Sequence, residues 1–93
     1  MKEYEITVDI YGYWQQEPPA YRIYIDEEMI CERGFYAMEY EFYRERILVE
    51  LEPSTEHTFK FEQLPTIHPN HTVAYKNLLL NGAPVRPTFT VPN

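Results

Sequence analysis

Glycine, cysteine and long apolar runs are all scarce in this chain of 93 residues, and each shortage removes a class of function. Only three glycines occur, Gly12, Gly34 and Gly82, too scattered to gather several backbone amides around a phosphate, so no nucleotide loop is expected. The single cysteine, Cys31, rules out an internal disulfide and fits a reducing compartment, where a lone thiol is at home as a small buried hydrophobe. No apolar run approaches the roughly 20 residues that cross a bilayer, and Met1-Lys2-Glu3-Tyr4-Glu5 has none of the apolar stretch of a secretion signal. A cytoplasmic protein that is neither secreted nor bound to membrane is expected. Asn70-His71-Thr72 matches a glycosylation acceptor, which without a secretory signal reads as chance.

Basic charge is the next shortage. The net charge is −7, and residues 1–62 hold all 15 acids against six bases, whereas residues 63–93 hold only Lys76 and Arg86. Phosphate contact depends on clustered Lys and Arg that release counterions, so direct binding to nucleic acid or to an anionic membrane is not expected.

What the chain does have is aromatic and β-branched residues in alternation. Apolar residues make up 44% and aromatics 16%, mostly nine Tyr and five Phe, enough for one core and too much for disorder. Tyr4, Ile6, Val8 and Ile10 alternate with polar residues and mark a half-buried strand. After a loop over residues 15–20 containing Pro18-Pro19, Arg22-Ile23-Tyr24-Ile25 resumes the period of two, and Asp26-Glu27-Glu28 forms a polar hairpin turn into Met29-Ile30-Cys31. Ile47, Val49 and Leu51 form the inward side of a further strand, Pro53-Ser54-Thr55 breaks it, and Phe59 and Phe61 share a face on the next, so these two segments read as a second hairpin.

Residues 65–71 form a loop, and Thr72 to Leu80 is apolar enough for a strand covered on both sides. Asn81-Gly82 is a strong signal for a tight type I′ turn, with residues 83–91 returning as a last strand at an edge because Pro84 and Pro87 lack ladder donors. Phe35 to Glu45 fits two patterns. Tyr36, Tyr40 and Tyr43 follow helical spacing, Met38, Tyr40 and Phe42 strand spacing, and the neighbouring strands favour the extended form. The whole reads as a single all-β domain over residues 1–93, an antiparallel β-sandwich of about seven strands, jelly-roll-like or immunoglobulin-like.

No catalytic constellation stands out, and no enzyme and no cofactor are expected. Nothing in the spacing brings Cys31 to His57, His68 or His71 as a nucleophile pair. His68 and His71 form a weak zinc pattern, with Pro69 between them. Asp26, Glu27 and Glu28 could offer oxygen ligands to calcium, although an acidic strand turn needs no metal to explain it. Glu3, Glu5, Glu50, Glu52 and Glu62 read as solvated strand faces. The aromatics exceed what one core needs: Tyr11, Tyr13 and Trp14 cluster beside the proline loop, and Tyr36, Tyr40 and Tyr43 flank the ambiguous segment. These six are the candidate contact residues for a partner, because an aromatic supplies large apolar area with a polar tip; closing the ends of the sandwich is their structural alternative.

Tyr24-Ile25-Asp26-Glu27-Glu28-Met29-Ile30-Cys31-Glu32-Arg33, Ile47-Leu48-Val49-Glu50-Leu51-Glu52-Pro53, Glu56-His57-Thr58 and Lys76-Asn77-Leu78-Leu79-Leu80-Asn81-Gly82 together resemble small uncharacterised proteins of tailed phages infecting cyanobacteria. Ser54-Thr55 stands where a glycine is usual in those proteins. The strand and hairpin pattern is also similar in architecture to carbohydrate-binding sandwich modules, some of them calcium-dependent. The expectation is a non-enzymatic interaction module, a phage accessory or structural protein that contacts a host or virion protein and acts in the host cytoplasm or the virion. The alternatives are glycan binding through Trp14 with Tyr11 or Tyr13, and an acidic mimic of DNA that occupies a basic protein. Exposed β edges also allow a homo-oligomer.

Overall fold

The computed structural model describes residues 1–14, 17–37, 41–65 and 71–92. Eight strands run in the order β1 (Lys2–Tyr13), β2 (Ala20–Ile25), β3 (Glu28–Gly34), β4 (Phe42–Leu51), β5 (Glu56–Gln63), β6 (Thr72–Leu80), β7 (Ala83–Pro84) and β8 (Thr88–Thr90). They form two antiparallel four-stranded sheets, β4-β1-β6-β7 and β3-β2-β5-β8, packed as a β-sandwich. No helix among the described residues is long and apolar enough to cross a membrane.

Alternation builds the core. Tyr4, Ile6, Val8 and Ile10 of β1 and Tyr21, Ile23 and Ile25 of β2 are all buried, and Phe59, Phe89, Val73, Leu78 and Leu80 complete the layer. Phe59 and Phe61 of β5 meet the Tyr75 ring of β6, with centroids 5.1 and 5.6 Å apart, joining the two sheets through aromatic contact. At Gly12 an added Cβ would lie 2.9 Å from the Phe35 ring and 2.9 Å from the Thr72 carbonyl, so the absence of a side chain lets Phe35 close that end of the core.

The strand over Thr72–Leu80 is not covered evenly on both faces. Thr7 pairs with Leu79 and Asp9 with Lys76, so Asn77 and Leu78 together oppose Val8 in a β-bulge, with Asn77 at φ 58°. The extra residue changes the phase of the strand: Val73 and Tyr75 face the core before it, and Leu78 and Leu80 after it. An apolar run that suggests two covered faces is a single inward face interrupted by a bulge. The bulge also turns the Asn77 amide toward Asp9, donating to its Oδ2 at 2.9 Å.

Two pairings differ from the sequence expectation. The segments on either side of Pro53 are not a hairpin, because β4 pairs with β1 and β5 with β2, so the Glu52–Thr55 turn carries the chain between sheets. Residues 83–91 do not return as one strand; β7 stays beside β6 while β8 crosses to pair with β5. Pro84 and Pro87 limit each ladder to a few residues, which leaves the chain free to cross. The β2–β3 hairpin forms as expected around Asp26 and Glu27. In the ambiguous segment Phe42–Leu51 is extended, while Met38 and Tyr40 lie outside the described residues.

Candidate functional site

β3 and β4 are the last strands of their sheets on the same side of the sandwich. Pairing of β4 with β1 runs without interruption from Lys2↔Leu51 to Tyr11↔Phe42, which fixes the direction of every side chain on β4. Tyr43, Glu45, Ile47, Val49 and Leu51 share the core side with Tyr4, Ile6, Val8 and Ile10. Phe42, Arg44, Arg46, Leu48 and Glu50 face outward. Among the described residues no strand pairs with the other edge of β4.

An inward carboxylate needs partners, and Glu45 has them. It is buried, and it accepts from the Tyr21 hydroxyl at 2.6 Å and from Arg33 Nε at 2.6 Å, with Cys31 Sγ 4.0 Å away. This cluster ties β4 to β2 and β3 across the gap between the sheets. Burial, then the adjacent carboxylate, pushes the Tyr21 hydroxyl far above its ordinary range and raises the Cys31 thiol. Cys31, expected to be buried, is half-buried and held as the neutral thiol, the unreactive form.

Two hollows flank β4. One, of about 630 Å³, is lined by Arg33, Tyr36, Phe42, Tyr43, Arg44 and Arg46 among others. The second, of about 430 Å³, lies toward the other end of the strand between Ile30, Leu48, Val49 and His57. Leu48 is 61% exposed and Phe42 45%, so the outward face of β4 carries a large apolar side chain beside each hollow.

At the floor of the second hollow lies a chain of hydrogen bonds. Asp26 Oδ2 is 2.5 Å from His57 Nδ1, and His57 Nε2 is 2.7 Å from Thr55 Oγ1 and 3.2 Å from the Glu52 carbonyl. The residue types resemble a nucleophile, a base and an orienting acid, but the protons run the wrong way. The Thr55 hydroxyl donates to the Glu52 carbonyl at 2.6 Å, and with its hydrogen so placed Thr55 Oγ1 and Asp26 both face the ring nitrogens as acceptors. Acceptors facing both nitrogens favour the imidazolium, and a ring held toward that form is a poor base. Burial opposes that charge, yet Asp26 and the Glu52 carbonyl outweigh it and raise the His57 pKa. The arrangement clasps the β2–β3 turn to the start of β5, and Asp26 also accepts from Thr58 N–H at 2.9 Å.

The expected contact residues are scattered. Tyr36 is 65% exposed at the first hollow, beside Tyr43, whose hydroxyl accepts from the Tyr36 N–H at 2.8 Å and whose ring packs on Phe35. Tyr11 stacks on Phe42 across the outer face of β1 and β4, with Lys76 over its other side, and Tyr13 ends β1 half-buried. Trp14 packs against the core, and its Nε1–H donates to the Ala37 carbonyl at 2.9 Å. Tyr40 lies outside the described residues, as does His68 of the zinc pattern. Of the calcium candidates, Asp26 is committed to His57 and Thr58. Glu27 and Glu28 are exposed, and no three His, Cys, Asp or Glu among the described residues gather to hold an ion.

The residues missed from sequence are Phe42, Leu48 and the charges between and beyond them on β4. The inward set Ile47, Val49 and Leu51 implies that Leu48 and Arg46 face away, a signal that was present. No family model, no curated protein and no solved structure matches the chain, so the functional reading rests on this geometry.

Proposed function

We propose that the chain is a non-enzymatic interaction module that takes up an extended segment of a protein partner along the free edge of β4. The observation that carries this reading is the contrast between β4 and the other sheet edges. A sheet edge presents unpaired amides and carbonyls, and proteins blunt such edges with shortness, proline, bulges or charge. β7 has two residues and includes Pro84, β8 has three residues after Pro87, and β3 is broken by a bulge at Ile30. β4 has ten residues, no proline and an unbroken register.

Its charges do little to guard it, because Arg44, Glu45 and Arg46 are each paired within the fold, with Asp9, Arg33 and Glu5. Strand addition at such an edge draws affinity from main-chain hydrogen bonds and specificity from alternate side chains, here beside hollows at each end. The raised pKa of the Cys31 thiol and the Thr55 hydroxyl turned to the Glu52 carbonyl support a non-catalytic reading. A viral accessory or structural role, with a host or virion protein as partner, is one setting for such a module.

The test is a displayed random-peptide library panned on the immobilised chain, with hits located by amide chemical shifts. Enriched peptides should shift Phe42–Leu51, and Ile47→Pro should abolish their binding. Hits that map to Trp14 or to the β7–β8 side, or a library that enriches nothing, would refute the reading. Glycan binding keeps one supporting observation, the exposed Tyr36 and Phe42 rings on one hollow. A glycan titration that leaves the resonances around Tyr36 unmoved would remove it.

A further inference from the structure

We propose that the strand which adds to β4 is β4 of a second copy, antiparallel, with Leu48 opposite Leu48 on a two-fold axis. This rests on the reading of β4 as a binding edge and names its occupant. In a two-fold contact, if residue i faces residue j, then j also faces i, so a strand can pair with itself only if its side chains complement their own reversed order. The outward row of β4 does so. It reads Arg44, Arg46, Leu48, Glu50, and Glu52 follows just past the end of the strand. Reversed, it reads Glu52, Glu50, Leu48, Arg46, Arg44. Arg46 therefore falls opposite Glu50, Arg44 opposite Glu52, and each pair occurs twice, with the exposed Leu48 meeting its equivalent in the middle.

The neighbouring registers are worse. Centring on Arg46 places two arginines face to face. Centring on Ile47 keeps Arg44 opposite Glu50 but sets Arg46 against Leu48, and centring on Val49 keeps Arg46 opposite Glu52 but sets Leu48 against Glu50, so each of these two registers makes half as many opposite-charge pairs. On the inward row the favoured register puts Ile47 opposite Val49, apolar against apolar. Glu50 and Glu52 are exposed and form no ion pair within 4 Å among the described residues, although Glu52 acts on His57 through space, which leaves Glu50 the less committed of the two. The arginine side chains remain 56% and 69% exposed at Arg44 and Arg46 despite their bonds to Asp9 and Glu5, which leaves nitrogen donors for a second carboxylate. Opposite charges across a strand pair stabilise it and like charges oppose it, so the row favours this register, which makes four opposite-charge pairs where its neighbours make two or, centred on Arg46, set like charges together. The product is a continuous eight-stranded sheet with the two Leu48 side chains packed against each other on its outer face at the centre.

The experiment is native mass spectrometry and sedimentation of the full chain and two charge variants. The native chain should dimerise, at twice its 11.2 kDa, with an affinity that falls as salt rises. Arg46→Glu turns both cross-strand pairs between positions 46 and 50 into facing carboxylates, and Glu50→Arg turns both into facing guanidiniums. Each variant alone should dimerise at least about tenfold more weakly than the native chain. Mixed in equal amounts they should recover a heterodimer, because each of these pairs is then opposite in charge. Recovery on mixing also shows that both variants are folded. A native chain that stays monomeric to about millimolar concentration overturns the proposal. So do variants that dimerise alone as tightly as the native chain, or a mixture that recovers nothing. A monomeric chain whose β4 still takes library peptides would remove the second copy while leaving the interaction edge in place.

Discussion

The two open sides of the sandwich are closed by different means. On one side β7 and β8 end their sheets with two and three residues, and on the other β3 and β4 end them with seven and ten. The short side is held by buried apolar side chains and by hydrogen bonds to main-chain carbonyls: Phe89 and Val91 are buried, the Tyr4 hydroxyl reaches the Pro92 carbonyl at 2.5 Å, and the Val91 N–H donates to the Thr55 carbonyl. The long side is held by a carboxylate, a phenol and a guanidinium. Ladder length is therefore a poor measure of how firmly an edge is fixed. The short strands are pinned by what lies beneath them and offer only two or three residues of edge, whereas β4 keeps a long edge open.

The strongest way to break this contrast is to remove an anchor from the short side. Phe89→Ala should cost about 3 kcal/mol in urea unfolding, because it leaves a cavity under a strand with only three ladder pairs. Phe42→Ala on the long side should cost less than about 1 kcal/mol, since that ring is 45% exposed. Equal losses at the two positions would show that the sides are held alike.

Next in size is the polar closure of the long side. Glu45→Ala should destabilise by about 2 kcal/mol: Arg33 is half-exposed and can turn to water, but the Tyr21 hydroxyl is fully buried and would lose its acceptor. Adding Tyr21→Phe should recover part of the loss, because the orphaned hydroxyl is then gone. A double variant that loses the full sum of the two single effects would argue that the cluster is not coupled.

These two clusters also mark where the sequence is readable and where it is not. β1 is legible because alternation of Tyr4, Ile6, Val8 and Ile10 needs no knowledge of the partner strand. Glu45 and Asp9 are not, because an acid on a strand reads as solvated until the opposing strand is known. Asp9 is 2% exposed, held by Arg44 at 2.9 Å and by Asn77 from the bulge, 68 residues away in sequence, and the Arg44 hydrogen bond keeps its pKa lowered. The false hairpin between β4 and β5 has the same origin. A short turn joins two strands equally well within one sheet or between two, and the choice is made by β1 and β2. The free edge of β4 was legible in composition, as a proline-free strand, and invisible in position, since being at an edge is a property of the whole sheet.

The clasp at the floor of the second hollow gives a smaller, pH-dependent effect on the long side. His57 is held above its ordinary 6.5, so its contribution is complete below that value and lost as pH rises through the raised pKa. Burial works against ionisation of Asp26, but His57 and the Thr58 amide prevail and hold it below 3.8, so its contribution is lost only as pH falls through the lowered value. The pair should therefore stabilise most between these limits. His57→Gln should cost about 1 kcal/mol near pH 5, a modest figure because the Asp26 carboxylate is half-exposed, and less near pH 8. A difference in melting temperature that does not vary between these pH values would mean that His57 keeps one charge state across the whole range.

The smallest effect separates the two hairpin turns, one at each side of the sandwich. Asn81 and Gly82 have φ of 50° and 85° between β6 and β7, and Asp26 and Glu27 have φ of 53° and 69° between β2 and β3, both with the two positive values of a type I′ turn. The short side places glycine where the left-handed backbone is demanded; the long side places a glutamate there, whose Cβ crowds the backbone. Asp26 is retained for the clasp, and nothing comparable among the described residues engages Glu27, which is exposed. Gly82→Ala should cost about 1 kcal/mol through backbone strain alone, since an added Cβ would meet no atom within 4 Å. Glu27→Gly should act in the opposite direction and stabilise by about 0.5 kcal/mol, because relief of strain outweighs the added freedom of the unfolded chain, raising the melting temperature by about 2–4 °C. If Glu27→Gly lowers it instead, the glutamate is stabilising that turn through its side chain, and the long side is fixed at its tip as well as by Glu45.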